Sequence, residues 1–365
     1  MPLSLFPKEK FIGIDIGHCS IKIAQLERDG DGIAILHLQS QPTPPDAVGE
    51  GVVTDPQAVG AAIRHALRQA RISATTANVG VAGGSVVVRT VTLPRMEEAA
   101  LRKSIRYEAG RYVPSSVTDS FIECEIIGEA EEGQMNVLVV ASPKDMVQSR
   151  VAAAEEAGLD VEVVDVEAFA LYRTLIEADG GSGAEEKAIA LLDVGDESSQ
   201  VSVVDCGAFA LTRSIPIGGR MLTNALAHYF KLDHAEAEEG KFALDLTSLV
   251  EADETKEDPP LRVVQPLVDE LVREIRRSLN YFHSQKSDQG SDRRVTELLL
   301  AGGGSRLKGL PEYFSHKLDL SVRTPNFLDN PKFNFAGPDE PEDAHVMAVA
   351  VGLAMRRAGS DVIAA

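Results

Sequence analysis

Asp15 and Asp193 each end an apolar run, and each is followed two residues later by a glycine. The first run reads Phe11-Ile-Gly-Ile-Asp15-Ile-Gly17-His18-Cys19-Ser20-Ile21-Lys22-Ile23. The second reads Ile189-Ala-Leu-Leu-Asp193-Val-Gly195-Asp196-Glu197-Ser198-Ser-Gln-Val201-Ser-Val203. An apolar run of this length is a buried strand, and the alternating apolar residues beyond the turn bring the chain back as a second strand. The chemistry such a hairpin tip can do is anion and cation binding. Glycine turns tightly and lets backbone approach an anion, backbone N–H groups of the turn cradle phosphate oxygens, and an aspartate holds a hydrated divalent cation. One copy alone is weak, because Asp-x-Gly is a common strand-end turn; two copies describe a phosphate clamp in two halves.

A third segment strengthens the pattern. Glu297-Leu-Leu-Leu300-Ala-Gly302-Gly303-Gly304-Ser305-Arg306-Leu307 is an apolar strand running into three glycines, with a helix predicted to start near Leu310-Pro311. The glycines let a flat ligand lie against backbone, and a helix N-terminus favours negative charge. No Gly-Lys-Ser/Thr follows, so this is not a P-loop.

Around these segments the periodicity predicts the elements that must hold them. Residues 11–40 read as strands, and Pro42-Thr-Pro-Pro45 marks an exposed loop. A helix is predicted over Pro56–Ala70, with Val59, Ile63, Ala66, Leu67 and Ala70 on one face. Val79–Leu93 is β-rich, broken by a turn at Gly83-Gly84. From Leu93-Pro94 to about Gly158 the pattern is helix, strand, strand, helix, with Leu101, Ile105 and Tyr112 on one face of the first helix and the last helix opening at Ser142-Pro143. An acidic loop, Glu129–Gln134, links the two strands. Ala178–Ala184 reads as a glycine-rich joint. Val250–Pro260 reads as an acidic loop leading into a long helix whose Leu267, Leu271, Ile275, Leu279 and Phe282 form a core-facing stripe, and Gln285–Asp292 is a second polar break.

Composition narrows the function. A chain of 365 residues is long for one core, and its 44% hydrophobic content supports globular folding throughout. A formal charge of -20 argues against a general nucleic-acid surface, which needs clustered Lys and Arg. The three cysteines, Cys19, Cys124 and Cys206, are widely spaced and odd in number, which predicts reduced thiols in a cytoplasmic protein, and no metal-ligand spacing joins them to the eight histidines. No run of about 18 apolar residues predicts a membrane span, and no hydrophobic leader is seen. The N-terminal Met1–Lys10 reads as a lead-in to the first strand, two prolines making it a poor amphipathic helix.

In the order Asp15-Ile-Gly17, Glu167, Asp193-Val-Gly195, Glu238-Glu-Gly-Lys241, Ala301-Gly-Gly-Gly304 and a small-residue helix around Ala348–Ala354, the chain resembles the actin-like ATPase superfamily. Within it, Ile105–Pro114 with its Tyr112-Val-Pro114 stop, Val137–Ala141 and Ala157–Leu171 resemble the PilM family of type IV pilus assembly proteins. The resemblance covers nearly the whole chain. It implies an α/β fold, the two-domain actin-like ATPase fold built from a duplicated ribonuclease H-like core, with an inserted subdomain like that of the cell-division protein FtsA. The implied domains are 1–93, the insertion 94–158, a return to the first domain over 159–184 and 340–365, and a second domain over 185–339 with a small subdomain at about 226–294.

The same resemblance implies ATP and Mg²⁺ as ligands. Asp15 and Asp193 would hold the metal through water from opposite sides of the interdomain cleft. Gly17, His18, Cys19, Ser20 and Lys22 would meet phosphate from one side, and Gly195, Asp196, Glu197, Ser198 and Gly219 from the other. Glu238 and Lys241 would bracket the nucleoside opposite Gly303, Gly304 and Arg306, the last stacking on the base or lying on the surface. Glu167 opens a predicted helix, where it either orients a hydrolytic water or is simply a first-turn acid favoured by the helix dipole. Two departures bear on turnover: His18 replaces a small hydroxyl residue, and Glu197 stands where glycine is common, adding a charge that repels the γ-phosphate unless it turns outward. Weak or absent hydrolysis is therefore expected.

By resemblance the partner is the N-terminal cytoplasmic tail of PilN, alongside other platform and motor proteins, with membrane association only through partners at the cytoplasmic face of the inner membrane. Two rivals are weighed. An FtsA-like filament protein would carry a basic amphipathic C-terminal helix, which Arg356–Ala365 does not resemble, and a small-molecule kinase of the same fold would need an acceptor-side base that is not evident. The secretion protein GspL shares the fold but continues into a membrane helix.

Overall fold

The computed structural model describes residues 10–30, 32–110, 117–130, 133–179, 187–250, 258–288, 293–338 and 343–356. The N-terminal lead-in, the Tyr112-Val-Pro114 stop, the glycine-rich joint, the acidic loops, the break at 285–292 and the last residues lie wholly or partly outside them.

Along the chain run β1 (Lys10–Ile16), β2 (Ser20–Asp29), β3 (Gly32–Pro42), β4 (Val48–Gly49), β5 (Val52–Val53), α1 (Pro56–Gln69), β6 (Thr76–Val81) and β7 (Val87–Pro94). Then come α2 (Glu98–Ala109), β8 (Ser120–Glu129), β9 (Gln134–Pro143), α3 (Lys144–Glu156), β10 (Asp160–Val166) and α4 (Glu167–Leu175). The rest comprises β11 (Ala188–Val194), β12 (Ser199–Asp205), β13 (Ala208–Ile215), α5 (Gly219–Phe230), α6 (His234–Phe242), α7 (Pro259–Asp288), β14 (Val295–Ala301), α8 (Leu310–Leu318), β15 (Ser321–Arg323), β16 (Phe333–Phe335) and α9 (Ala348–Met355).

These elements form two compact units. The first takes its described residues from Met1–Ala82, Lys144–Gly180 and Asn326–Ala364, and the second from Gly83–Pro143 and Gly181–Pro325. The first unit's sheet runs β10-β6-β1-β2-β3-β16, and the second's runs β13-β12-β11-β14-β15. In each, three strands meander antiparallel, and the first of the three also pairs parallel with a later strand, β1 with β6 and β11 with β14. The duplication predicted from two Asp-x-Gly segments is thus a duplication of whole sheets.

Local chemistry explains the elements. Helix α1 starts where Asp55 accepts a hydrogen bond from Ala58 N–H (2.9 Å) and Pro56 supplies a preset φ. Its Val59, Ile63, Ala66 and Leu67 are buried as the 3.6-residue period requires. The Gly83-Gly84 break is a turn, with Gly83 at φ +123°. Helix α7 begins at Pro259, so the two prolines expected to end a loop instead form its first turn. Its Leu271, Ile275 and Phe282 lie in the second unit's core.

Strand β7 pairs with β9, which pairs with β8, giving a three-stranded sheet backed by Leu101 and Ile105 of α2. Helix α3 follows β9 but packs on α1 in the first unit, whereas residues 83–143 belong to the second unit. In the first unit, α9 lies close against β1 and α4. A Cβ on Gly352 would overlap the Ala170 carbonyl, and one on Gly13 the Ala350 carbonyl, so backbone meets backbone there and only glycine fits.

Candidate nucleotide-binding half-sites

The two Asp-x-Gly turns have the same geometry. In the first, Asp15 pairs with Lys22 and Ile16 with Ile21; in the second, Asp193 pairs with Gln200 and Val194 with Ser199. Four residues lie between the last paired positions in each case. Both turns close with one bond, Gly17 N–H to Ser20 O (3.1 Å) and Gly195 N–H to Ser198 O (3.0 Å). Glycine is required for the same reason twice: an added Cβ would stand 2.9 Å from Ser20 O or 2.7 Å from Ser198 O.

Around these shared frames the side chains differ. In the first turn Lys22 Nζ donates to Asp15 Oδ2 at 2.9 Å, and both side chains are largely buried. The turn is braced from outside by the Thr43 hydroxyl on Gly17 O (2.7 Å) and by Thr43 N–H on Cys19 O (3.1 Å). The buried Arg150 guanidinium donates to Ile16 O (2.9 Å) and Gly51 O (3.1 Å). Glu167 is half-buried at the first position of α4, beside Gly80 of β6. The β1–β6 and β6–β10 registers place Asp15, Gly80 and Glu167 at one end of the sheet, beyond the carboxyl ends of its parallel strands, where open α/β sheets bind ligands.

The second turn lacks a cross-strand lysine, since Gln200 occupies that place. Its cation comes instead from α5. Arg220 donates twice to Asp196 Oδ2 (3.1 and 2.9 Å) and stands 3.7 Å from Glu197 Oε1. The backbone reinforces the link, because Gly219 N–H donates to Gly195 O and Arg220 N–H to Asp196 O, each at 2.9 Å. The repulsion expected from Glu197 is therefore offset in part by a guanidinium, shared with Asp196, that sequence reasoning missed; its signal was the Gly-Gly-Arg run opening a helix beside the turn. Arg220→Ala should leave two carboxylates unbalanced at the tip and weaken Mg-ATP binding by about three- to tenfold, the scale of partly exposed ion pairs. Adding Glu197→Gly should restore much of that loss in a calorimetric titration, and no recovery would remove charge as the cause.

Glu238 and Lys241 form a closed group with Thr223. The Lys241 ammonium is buried and donates to both Glu238 oxygens at 2.7 Å and to the Thr223 hydroxyl at 3.1 Å. Thr223, fully buried, donates to Glu238 Oε2. Burial pushes the Glu238 carboxyl up, but the hydrogen bonds from Lys241 and Thr223 outweigh it and hold the group below its ordinary value. All three ammonium hydrogens have protein acceptors, so Lys241 orients Glu238, whose outer side is partly exposed. Thr223 was not foreseen, since its role depends on α5 packing against α6.

The three glycines divide their work. Gly302, at φ +81°, lies so close to Asp193 Oδ1 that a Cβ would overlap it, and a Cβ on Gly304 would overlap Val194. Gly303 is exposed, with no atom within 4 Å of a built Cβ. Gly303 has an open Cα face, while its neighbours, both partly exposed, seat the strand end against the Asp193 turn. Helix α8 starts at Leu310 as predicted, after Gly309 at φ +77°. Gly219, Lys241, Phe242 and Gly304 line an apolar cavity of about 30 Å³ with Leu222 and Leu307.

A duplicated meander sheet with matched Asp-x-Gly tips defines an actin-like ATPase fold. This assignment is matched by solved structures, among them MreB5 of Spiroplasma citri bound to ADP, at TM-score 0.52 and 12% identity over 94% of each chain. The model for type IV pilus assembly protein PilM matches residues 13–358, and the chain belongs to that family. The PilM-PilN type IV pilus biogenesis complex is similar at TM-score 0.80 and 26% identity, over 96% of this chain and 98% of that one. Cell division protein FtsA of Escherichia coli (strain K12) is 23% identical over 207 residues, 52% of this chain and 48% of FtsA. The chain thus spans about half the length of the first curated relatives it matches.

Proposed function

We propose that this pilus assembly protein binds ATP with Mg²⁺ through its two turns and acts as a cytoplasmic scaffold of the type IV pilus inner-membrane platform, docking the N-terminal tail of PilN. The observation that carries the nucleotide reading is the equivalence of the turns, the same register and the same closing bond in two different sheets. Similarity to a PilM-PilN complex supports the partner. Among the described residues, no helix is long and apolar enough to cross a membrane.

The residues fit the proposed ligands. Among the described residues no three metal-ligating side chains cluster into a cage. One carboxylate at each turn suits Mg²⁺, which keeps several waters and usually takes one or two carboxylates plus phosphate oxygens. The ion would supply charge neutralisation to the phosphates. The chain's own residues would do the rest: Lys22 and Arg220 balance the carboxylates of their turns, Gly303 gives a flat approach, and Glu238 accepts from a sugar hydroxyl. Glu167, ordered at the start of α4, is the candidate to orient a water. With His18 and Glu197 at the turn tips, slow turnover is the proposed outcome, and function runs through binding.

Two titrations of the purified protein test this reading. Mg-ATP should bind in a calorimeter, and a fluorescent PilN N-terminal peptide should bind with modest affinity, because ordering an extended tail opposes association. Brisk phosphate release without any partner would contradict the scaffold role. Peptide that fails to bind with and without ATP would remove the proposed partner.

A further inference from the structure

Among the described residues three cations are buried: Arg150, Arg173 and Lys241. Arg173 meets Asp165 and Lys241 meets Glu238. Arg150, only 3% exposed, has no carboxylate at ion-pair distance among the described residues. Its terminal nitrogens donate to carbonyls, Ile16 O at 2.9 Å and Gly51 O at 3.1 Å, and its buried Nε finds no acceptor there. A buried charge is ordinarily paired, and an unpaired one is costly to keep. This one sits against the first turn, since Ile16 stands between Asp15 and Gly17. The Asp15 carboxylate is already engaged by Lys22, and Glu50, beside Gly51, is exposed. The turn therefore holds two cations, Lys22 and Arg150, against one buried carboxylate. In the second turn the matching surplus is absent, because Arg220 is engaged by Asp196. The first unit also fixes the guanidinium in place. Next to it on α3, Ser149 Oγ accepts Val53 N–H (3.1 Å) and donates to Met146 O (3.0 Å). Gly51, at φ +81°, is packed so closely that a Cβ would stand 2.8 Å from both Ala82 O and Met146 Cε.

We propose that Arg150 is a positioning residue of the first turn: it holds the Ile16 carbonyl and keeps beside it a positive charge that the phosphates of a bound nucleotide balance. The inference rests on the nucleotide-binding reading above. A cation removed from water acts on a nearby anion with little screening, unlike a surface lysine. Because packing already fixes this side chain, the anion gains the attraction without ordering a long flexible residue. The unliganded chain carries the cost of the unmet charge, and binding relieves it.

Calorimetric titration of the full chain with Mg-ATP tests it, at pH 6 so that a buried lysine ammonium stays charged. Two variants each keep a donor for the carbonyls and differ in charge: Arg150→Lys retains it and Arg150→Gln does not. Arg150→Lys should bind within about threefold of the parent, whereas Arg150→Gln should bind about tenfold more weakly, the scale of one fixed charge in a partly polar medium. Arg150→Met should fall with Arg150→Gln, and the comparison of Lys with Gln decides the matter even where Met does not fold. Urea unfolding without ligand supplies a readout that a mere brace of the fold would move the other way. Arg150→Gln should have a midpoint at or above the parent's, because it removes a buried charge that no carboxylate meets. Equal affinity in the parent and Arg150→Gln overturns the inference. So does an Arg150→Lys protein as weak as Arg150→Gln, which would make the shape of the guanidinium and not its charge the cause. A midpoint that falls together with affinity in Arg150→Gln overturns it as well. If the parent itself binds no Mg-ATP, the nucleotide reading falls and takes this one with it, a result distinct from a binding protein whose variants are indifferent.

Discussion

Asp165→Ala is expected to destabilise the first unit by about 3–5 kcal/mol, the cost of leaving a buried charge without its partner. Asp165 and Arg173 are each 7% exposed, and Arg173 Nη2 donates to Asp165 Oδ2. The other carboxylate oxygen accepts Val166 N–H at 2.8 Å, and the other end of the guanidinium donates to Gly352 O. The pair therefore joins the end of β10, the face of α4 and the backbone of α9, at the place where Gly352 lets α9 meet Ala170. Thr174 adds a second tie from α4 to α9, its hydroxyl donating to Ala348 O at 2.7 Å. Removing the carboxylate leaves the buried guanidinium with the Gly352 carbonyl as its remaining named acceptor. Urea unfolding should show a lower midpoint with an unchanged slope. Replacing both partners with apolar residues, Asp165→Leu with Arg173→Met, should cost less than Asp165→Ala alone, because no charge then remains to be stranded. A single variant within about 1 kcal/mol of the parent, the range of a surface pair, would show that the pair is not structural. Val166 immediately precedes Glu167, so the same variant should also loosen the start of α4, measurable as faster amide exchange there.

What was legible in the sequence, and what was not, follows from the range of the interactions. The Asp-x-Gly turns, the face of α1, the stripe on α7 and the start of α8 are local patterns, each decided by residues a few positions apart, and the structure has all of them. The segment 83–143 was less visible, because β7 precedes a proline and a helix in sequence and reaches its partner β9 only across some forty residues. The three glycines at 302–304 look alike as letters; which of them opens to solvent is decided by Val194 and Asp193, more than a hundred residues earlier. Arg220, Thr223 and Phe242 belong to the candidate site only because α5 and α6 pack over the second turn, and a charged or aromatic residue on a helix carries no mark of what it will face. The Glu197 problem shows the consequence: its charge was readable, its compensation was not.

Asp193→Ala is expected to weaken Mg-ATP binding more than Asp15→Ala does, although the two aspartates stand at equivalent positions of equivalent turns. Asp15 has a lysine across the strand, with Lys22 Nζ at 2.9 Å, whereas the residue opposite Asp193 is Gln200. At the first turn the carboxylate already faces a fixed cation, so its charge is partly balanced within the protein. Deleting it also releases Lys22 to meet phosphate directly, which offsets part of the loss. At the second turn the paired glutamine brings no charge, and Arg220 is engaged one residue beyond the turn glycine, with Asp196. Removing Asp193 therefore deletes a carboxylate without freeing a cross-strand lysine, and the loss should approach that of a charged hydrogen-bond partner, about 1.5–3 kcal/mol or roughly ten- to a hundredfold in affinity. The fold should tolerate the change, because Gly302 sits against the carboxylate and the backbone turn is closed by Gly195 and Ser198 independently of it. Calorimetry with ATP at fixed excess Mg²⁺, repeated with the metal chelated, separates the contributions: the gap between parent and Asp193→Ala should narrow when the metal is removed. Equal affinities for parent and Asp193→Ala would take this carboxylate out of the site. A larger loss at Asp15 would show that the Lys22 pair, and not the glutamine-facing register position, carries the ligand.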